Sequence, residues 1–237
     1  MSEVESPGTR DSMEPLPVVV SWSTGKDSAY ALHVVRKDPR FRVTGLLTSV
    51  TEPFDRVSIH GVRSTLLDAQ ADALGLPLTR VGLPFPCPNS EYERRMAEAC
   101  RRLHRNGTRG VVFGDLFLAD VRAYRESRMA DSGLQPVFPL WGRNTRALAR
   151  EMIDVGMRAR LVCVDPAKLS PDLAGREYDR ALLEELPPAA DPCGENGEFH
   201  TFAYASPDFT RPIEVRSGPS VVRDGFVFAD LEPVRSR

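Results

Sequence analysis

Residues 18–35 read VVVSWSTGKDSAYALHVV, and this stretch constrains the fold of the chain more than any other. It begins as an apolar run with the composition of a strand, passes through a short polar turn, and continues as a helical pattern. The first turn of a helix carries unpaired backbone N–H groups and partial positive charge, which together favour an anion. The junction therefore predicts a phosphate-binding turn between a strand and a helix.

The polar turn supplies the groups that a phosphate site needs. Gly25 lets the backbone approach a ligand closely, and Lys26, one of only three lysines, adds a positive charge. The turn is not a Walker A loop, because Val20 stands where that pattern requires a glycine and Asp27 where it requires serine or threonine. An ordinary strand-to-helix turn capped by serine and aspartate is the alternative interpretation.

Strand-like and helix-like segments alternate over the first 135 residues. This alternation predicts crossover connections and a parallel sheet covered on both faces, with ligands bound beyond the carboxyl ends of the strands. The predicted strands are 16–21, 43–50, 78–82 and 110–114, and the predicted helices are 28–36, 63–74, 90–105 and 120–131.

The sequence changes character after residue 135. A proline-rich break precedes a β-rich tail, so we expect a smaller unit over residues 136–237 after an N-terminal unit over residues 16–135. The polar residues 1–15 predict a disordered tail. In the second unit the predicted helices are 145–157 and 176–186, and the predicted strands are 160–164, 202–205, 213–216 and 226–229.

Composition excludes several classes of protein. The 237 residues are 41% hydrophobic, which is enough for a substantial core, and the net charge of −2 provides no overall field for nucleic acid or an anionic membrane. The apolar runs are too short for a membrane span or a signal peptide, so we predict a cytoplasmic protein with neither partner. The four cysteines stand too far apart for a CxxC pair and predict reduced thiols, with no disulfide framework and no protein-bound metal site.

The string STGKDS after an apolar strand resembles the SGGKDS loop of the PP-loop ATP pyrophosphatases, which cleave ATP between the α and β phosphates and form an adenylate. Further strings narrow the resemblance to the diphthine–ammonia ligase family, from about residue 18 to residue 231. They are SWSTGKDS, HGVRSTLLDAQADALGLPL, GVVFGDLFLADVRAYRESRM, FPLWGRNT and GENGEFHTF.

The resemblance implies a Rossmann-like, HUP-type, doubly wound α/β domain over residues 16–135 and a smaller C-terminal α+β domain that carries the GENGEFH element. It also implies an ATP-dependent amide ligase that adenylates a carboxyl group, releases pyrophosphate and transfers ammonia, with ATP, Mg²⁺ and ammonium as its small partners. The turn residues that the resemblance makes nucleotide-binding are Ser23, Thr24, Gly25, Lys26, Asp27 and Ser28.

Four other residues gain a role from the resemblance. Gly114 and Asp115 close the fourth predicted strand and would lie beside the nucleotide, where Asp115 would orient magnesium or the ribose. His60 would contact adenine or phosphate, and Trp141 would form a wall of the site at the junction of the two domains. Without the resemblance, each has a plain alternative: a turn after a strand for Gly114 and Asp115, a turn residue just before a helix for His60, and a core aromatic for Trp141.

The GENGE string places Glu195 and Glu198 three residues apart between glycines. Adding ammonia to an adenylate requires a group that attracts ammonium, a group that accepts a proton, and exclusion of water. Two carboxylates held against an ATP site would meet the first two needs, so both are predicted to be catalytic. An acidic hairpin turn at the surface is the alternative.

Two positions depart from the family's pattern. Thr24 stands where the superfamily usually has glycine, and we expect it to permit binding provided that its backbone angles are not left-handed. His200 stands where the ligases of this family read glutamate, which changes the charge beside the proposed acceptor site.

Two other functions remain open at the level of sequence. One is a PP-loop enzyme that modifies tRNA or inserts sulfur, although no CxxC pair and no basic surface are visible. The other is a non-catalytic sensor of adenine nucleotides, which leaves the acidic GENGE string unexplained. The sequence does not determine the carboxyl-bearing acceptor, whether protein or small molecule, or the oligomeric state.

Overall fold

The computed structural model describes residues 14–234, so most of the predicted tail, residues 1–13, lies outside the described range. The first unit contains six strands and four helices. The strands are β1 (Leu16–Ser21), β2 (Phe41–Thr51), β3 (Arg56–Val57), β4 (Leu78–Leu83), β5 (Gly110–Val112) and β6 (Gln135–Val137). The helices are α1 (Lys26–Arg36), α2 (Ser64–Leu74), α3 (Asn89–Arg105) and α4 (Ala119–Met129).

Five of these strands are parallel and follow the spatial order β4-β2-β1-β5-β6, while the short β3 pairs antiparallel with the end of β2. From β1 the chain winds outwards to β2 and β4, then crosses back to β5 and β6. The winding direction therefore reverses between β1 and β5, which is where ligands bind in open parallel sheets. The predicted doubly wound parallel sheet is confirmed.

The residues of β1 show why the sheet is covered on both faces. Val18 and Val20 pack into the core that contains α1 and α2, whereas Val19 packs into the opposite core with α3 and α4. Successive side chains of a strand point to opposite faces, so a continuous apolar run needs an apolar layer on each side.

The second unit is an antiparallel sheet with two helices, and the predicted smaller α+β part is confirmed. Its strands follow the order β8-β7-β10-β9. Phe199 and Phe202 of the edge strand belong to the same core as Val18 and Val20 of β1, so the two units share one hydrophobic interior. Its elements are α5 (Thr145–Asp154), β7 (Arg158–Val164), α6 (Arg180–Glu185), β8 (Phe199–Ala205), β9 (Val215–Arg223) and β10 (Phe226–Pro233).

Some predicted boundaries are wrong for local reasons. Helix α6 begins four residues later than predicted, because Glu177 bridges to Arg160 of β7 and the side chain of Asp179 caps the helix by accepting from the N–H of Leu182 at 2.8 Å. Strand β9 is longer than predicted, because a tight turn at Asp224 and Gly225, both with positive φ, joins it to β10 as a hairpin. The predicted division at residue 135 falls inside β6.

Across residues 14–234, no helix combines the length and the apolar character that crossing a membrane requires.

Candidate active site

A cavity of about 300 Å³ lies at the carboxyl ends of β1 and β5, where the winding of the sheet reverses. The turn after β1, the turn after β5, the loop around His60 and the segment before β8 form its walls. Eight of the predicted site residues line it: Ser23, Lys26, Asp27, Ser28, His60, Gly114, Asp115 and Glu195. Thr24 and Gly25 belong to the same turn but are not lining residues, and Trp141 and Glu198 do not reach the wall.

The turn after β1 is held by strand β8 of the second unit. The N–H of Ala203 donates to the carbonyl of Thr24 at 2.9 Å, and the N–H of Lys26 donates to Oγ1 of Thr201 at 3.1 Å. In the first turn of α1, the N–H groups of Asp27 and Ser28 have no protein acceptor within residues 14–234. Those two groups are therefore available to donate to an anion.

Two glycines bring these segments into close contact. A Cβ atom at Gly114 would lie 2.9 Å from the carbonyl carbon of Asp27 and 3.0 Å from the nitrogen of Ser28. A Cβ atom at Gly25 would lie 3.0 Å from Cε1 of His60. Glycine at position 114 is therefore required for the end of β5 to reach the first turn of α1.

Thr24 was expected to permit binding provided that its backbone angles are not left-handed. Its φ of 71° is left-handed, so this condition is not met. The side chain is fully buried, and its hydroxyl has no hydrogen-bond partner. The strained backbone persists because its carbonyl accepts from both Ala203 and Nε2 of Gln70. A glycine at this position would adopt this conformation without strain.

Lys26 is buried and turned towards the second unit. Its Nζ donates to both carboxylate oxygens of Asp27, at 2.9 and 3.1 Å, and to the carbonyl of Cys193 at 2.5 Å. It also lies over the rings of Tyr178 and Phe199. Burial lowers the pKa of Lys26, but the charge and hydrogen bond of Asp27, together with Cys193 and Glu195, outweigh burial and the net pKa shift is upward. The ammonium group therefore keeps its charge in the cavity.

Asp115 is held by an arginine that sequence reasoning did not single out. Its two carboxylate oxygens accept from Nε and Nη2 of Arg125 at 2.5 and 3.1 Å, and the guanidinium stacks on the ring of Phe113. Arg125 stands in the GVVFGDLFLADVRAYRESRM string, but it is one of many arginines in this chain and nothing in its spacing distinguishes it.

Glu195 is the carboxylate of the GENGE turn that faces the cavity. One oxygen accepts from the N–H of Leu116, just after β5, at 2.7 Å. Burial raises the pKa of Glu195 to about 7, against that hydrogen bond and with the support of the negative charges of Asp27 and Asp115. A carboxylate with this pKa exchanges a proton near neutral pH, as a general base must.

Glu198 is placed differently from its neighbour. It is 2% exposed; one oxygen accepts from the N–H of Asp191 at 2.8 Å and from Nδ2 of Asn196 at 3.2 Å, and the other oxygen has no partner. The structure therefore brings only one of the two glutamates to the wall of the cavity. A glutamate pair three residues apart in an irregular turn gives no periodicity that would predict which one faces a ligand.

His60 and His200 stack in the cavity with their ring centroids 4.6 Å apart. Nδ1 of His60 lies 3.2 Å from the carbonyl of Thr201, so Nδ1 carries the proton and Nε2 is the free acceptor. Burial lowers the pKa of His200 to about 4, and burial together with the charge of His200 lowers the pKa of His60 well below its usual value. Both rings are therefore neutral at pH 7.

Trp141 was predicted to form a wall of the site, but it makes other contacts, as does Arg63 of the segment around His60. The ring of Trp141 packs against Phe138 and under the guanidinium of Arg122, and it is not a lining residue. Arg63, beside His60 in the sequence, forms an ion pair with Asp230 of β10.

A second cavity of about 240 Å³ adjoins the first between α3 and α4, with more apolar walls. The two cavities share a wall formed by Ser21, Leu47, Tyr92, Met96, Phe113 and Arg125. None of these residues was predicted to belong to the site, because contacts between the ends of separate strands and helices leave no local pattern in the sequence.

This combination defines a class of protein: an α/β nucleotide-binding protein whose anion-binding turn lies where the winding of a parallel sheet reverses. Comparison with known proteins gives the family. Residues 16–136 match the diphthamide synthase N-terminal domain, and residues 144–230 match the diphthamide synthase C-terminal domain. The chain belongs to the diphthamide synthase family.

Individual relatives are named diphthine–ammonia ligase. The diphthine–ammonia ligase of Mus musculus is 27% identical over 203 residues, which cover 78% of this chain and 75% of that protein. The diphthine–ammonia ligase of Homo sapiens is 29% identical over 201 residues, again covering 78% of this chain and 75% of that protein. Among solved structures, a predicted subunit of tRNA methyltransferase from Methanocaldococcus jannaschii aligns with a TM-score of 0.43 and 16% identity, over 81% of this chain and 98% of that chain.

Proposed function

We propose that this protein is an ATP-dependent amide ligase that adenylates a carboxyl group, releases pyrophosphate and transfers ammonia to the adenylate. The observation that carries the proposal is the position of Glu195. A carboxylate with a pKa of about 7 lies in the same cavity as the anion-binding turn of α1. Family membership and the diphthine–ammonia ligases among the relatives support this chemistry.

The nucleotide would lie with its phosphates at the polar turn and its adenine against a more apolar wall. The phosphates would lie at the first turn of α1, close to the free N–H groups of Asp27 and Ser28 and to the charge of Lys26. The adenine would lie against the apolar wall that the two cavities share, near Tyr92 and Phe113.

Magnesium is proposed to enter with ATP. Within residues 14–234, no three histidine, cysteine or carboxylate side chains are grouped to hold a metal ion. Magnesium commonly uses one or two carboxylates together with substrate phosphates and water, and Asp27 and Asp115 are the cavity carboxylates that fit this pattern. When bound, it would neutralise negative charge on the phosphates.

The reaction has two steps. In the first, an oxygen of the acceptor's carboxylate bonds to the α-phosphorus of ATP, and the bond to the β-phosphate oxygen breaks to release pyrophosphate. In the second, ammonia bonds to the acyl carbon, the acyl C–O bond breaks, and AMP leaves. Glu195 would attract the incoming ammonium and accept the proton that the nitrogen loses. The neutral rings of His60 and His200 would limit the access of water.

The acceptor is a carboxyl-bearing protein or small molecule, and the family's default is a diphthine-like carboxylate on a protein. We retain the predicted cytoplasmic location as part of the proposal. A tRNA-modifying or sulfur-inserting enzyme and a non-catalytic nucleotide sensor are the outcomes that an activity screen would reveal instead.

The test is a screen in which ATP, ¹⁵N-ammonium and candidate carboxylic acids are incubated with the protein. We expect pyrophosphate release that depends on the acceptor, and ¹⁵N in an amide product detected by mass spectrometry. The Glu195→Gln protein serves as the matched control, because it should retain the nucleotide turn and lose amide formation. Acceptor-independent binding of ATP with no turnover across the screen would favour the sensor.

A further inference from the structure

The segment between α6 and β8 brings Glu195 to the cavity, although it has no regular secondary structure. An irregular segment holds a side chain in place only if its backbone polar groups are satisfied. Hydrogen bonds within residues 191–198 meet this requirement. Here we call these residues the acidic turn.

Asp191 lies at the centre of the acidic turn and is 8% exposed. Its Oδ2 accepts from the N–H of Cys193 at 3.1 Å and from the N–H of Glu195 at 3.0 Å. In return, its own N–H donates to Glu198 at 2.8 Å, and its carbonyl accepts from the N–H of Gly194 at 2.8 Å. One aspartate therefore fixes the direction of the backbone on both sides of Gly194.

The acidic turn uses that fixed backbone to bridge the two halves of the nucleotide site. The carbonyl of Cys193 accepts from Nζ of Lys26, next to the turn after β1. The carboxylate of Glu195 accepts from the N–H of Leu116, next to the turn after β5. At the C-terminal end of the acidic turn, the carbonyl of Glu198 accepts from the N–H of Asp165 at 2.9 Å.

We propose that Asp191 is a positioning residue for the reaction, because its carboxylate holds the backbone of residues 193–195 in the one arrangement that directs Glu195 into the cavity. This inference rests on the proposed role of Glu195 as proton acceptor. Glu198 contributes to the same arrangement, because its carboxylate accepts a hydrogen bond from the backbone N–H of Asp191.

The action of Asp191 on Glu195 is geometric. The charged groups that act on the carboxylate of Glu195 are Asp27, Asp115 and Lys26, and each belongs to another segment. Asp191 reaches Glu195 only through the backbone N–H. Removing its acceptor oxygen would leave two N–H groups unsatisfied and open the acidic turn, whereas removing its charge alone would not.

The test compares Asp191→Asn, which keeps an acceptor oxygen without the charge, with Asp191→Leu, which has the same branched side-chain shape and no acceptor. We expect Asp191→Asn to form amide within about threefold of the parent rate, and Asp191→Leu to lose about 30-fold or more at saturating ATP. The pH below which the rate declines should stay near 7 in Asp191→Asn and move lower in Asp191→Leu, because Glu195 then meets water. Asp172→Leu, at an exposed aspartate away from the site, is the matched control.

A second measurement does not depend on activity. With ¹³C-labelled glutamate, and the Glu195 resonance assigned by its loss in Glu195→Gln, the titration of Glu195 is followed by NMR. We expect the parent and Asp191→Asn proteins to titrate at the same pH, and Asp191→Leu, or Asp191→Ala if the leucine variant does not fold, to titrate lower.

If Asp191→Asn and Asp191→Leu lowered the rate of amide formation equally, Asp191 would act through its charge, and the proposal would be overturned. Unchanged titration of Glu195 in every variant would also overturn it. A parent protein that forms no amide refutes the proposed function instead. The NMR titration still decides the role of Asp191 in that case.

Discussion

The turn after β1 and the acidic turn before β8 are both short polar segments between regular elements, yet they are built in different ways. The first follows from local sequence: an apolar strand, a glycine, and a helix whose second and third N–H groups have no protein acceptor within residues 14–234. The second depends on hydrogen bonds to Lys26 and Leu116, which lie far away in the sequence. The proposed anion-binding turn is therefore predicted by local sequence, although β8 helps to hold it, whereas the position of the proposed proton acceptor depends on contacts that only the whole fold provides.

The largest effect expected from this comparison separates the two glutamates of the acidic turn. Glu195→Gln should lower amide formation by about 100-fold or more, the scale for losing a positioned general base. Glu198→Gln should have a smaller effect, because glutamine keeps an oxygen that accepts from Asp191. Rates are measured at saturating ATP by ¹⁵N incorporation. A larger loss in Glu198→Gln than in Glu195→Gln would reverse the assignment made from the cavity wall.

Lys26→Ala tests the turn after β1. We expect Mg-ATP binding to weaken by roughly 1.5 to 3 kcal/mol, the range for a hydrogen bond to a charged group. Isothermal titration calorimetry measures the change, and Lys37→Ala, at the exposed end of α1, is the control. An unchanged affinity in folded Lys26→Ala protein would mean that Lys26 serves only to join Asp27 to the acidic turn.

The pH dependence of amide formation tests the environment of Glu195. Because a general base must be deprotonated and burial raises the pKa of Glu195 to about 7, the rate should rise with pH and level off above 7. At pH 6 it should be about tenfold below the plateau, since about one carboxylate in ten is then ionised. A pH-rate profile at saturating ATP and ammonia measures this. A profile flat from pH 5 to 8 would contradict the assignment.

The stability of the protein should change with pH in the direction opposite to the rate of amide formation. A carboxyl group whose pKa is higher in the folded than in the unfolded protein holds its proton more tightly when folded. The free energy of unfolding should therefore decrease as the pH rises towards 7, and Glu195→Gln should reduce that dependence. Urea unfolding at pH 5 and pH 8 provides the comparison.

The smallest effect concerns the backbone of Thr24. Because its φ of 71° is left-handed, Thr24→Gly should increase stability by about 0.5 to 1 kcal/mol, the strain relieved less the entropy cost of glycine. Thermal unfolding measures the gain. Thr24→Ala keeps a Cβ atom and should show none, so equal gains in both variants would assign the effect to the buried hydroxyl.

Sequence reasoning succeeded where the signal is local. The alternation of strand-like and helix-like segments predicted the parallel sheet and the edge at which the cavity lies, and the glycine-containing turn after β1 predicted a junction that lines it. It could not choose between Glu195 and Glu198, because their orientation depends on Asp191 and on N–H groups from other segments. It also could not identify Arg125, whose partner Asp115 becomes its neighbour only when α4 packs against the sheet.

In the proposed reaction, the turn after β1 holds ATP for cleavage between the α and β phosphates. The most direct measurement is chromatography of the nucleotide products formed from ATP in the presence of an acceptor and ammonium. We predict AMP and pyrophosphate in equal amounts, matched by the amide formed. ADP and inorganic phosphate as the products would contradict the adenylation mechanism, whatever the fate of the acceptor.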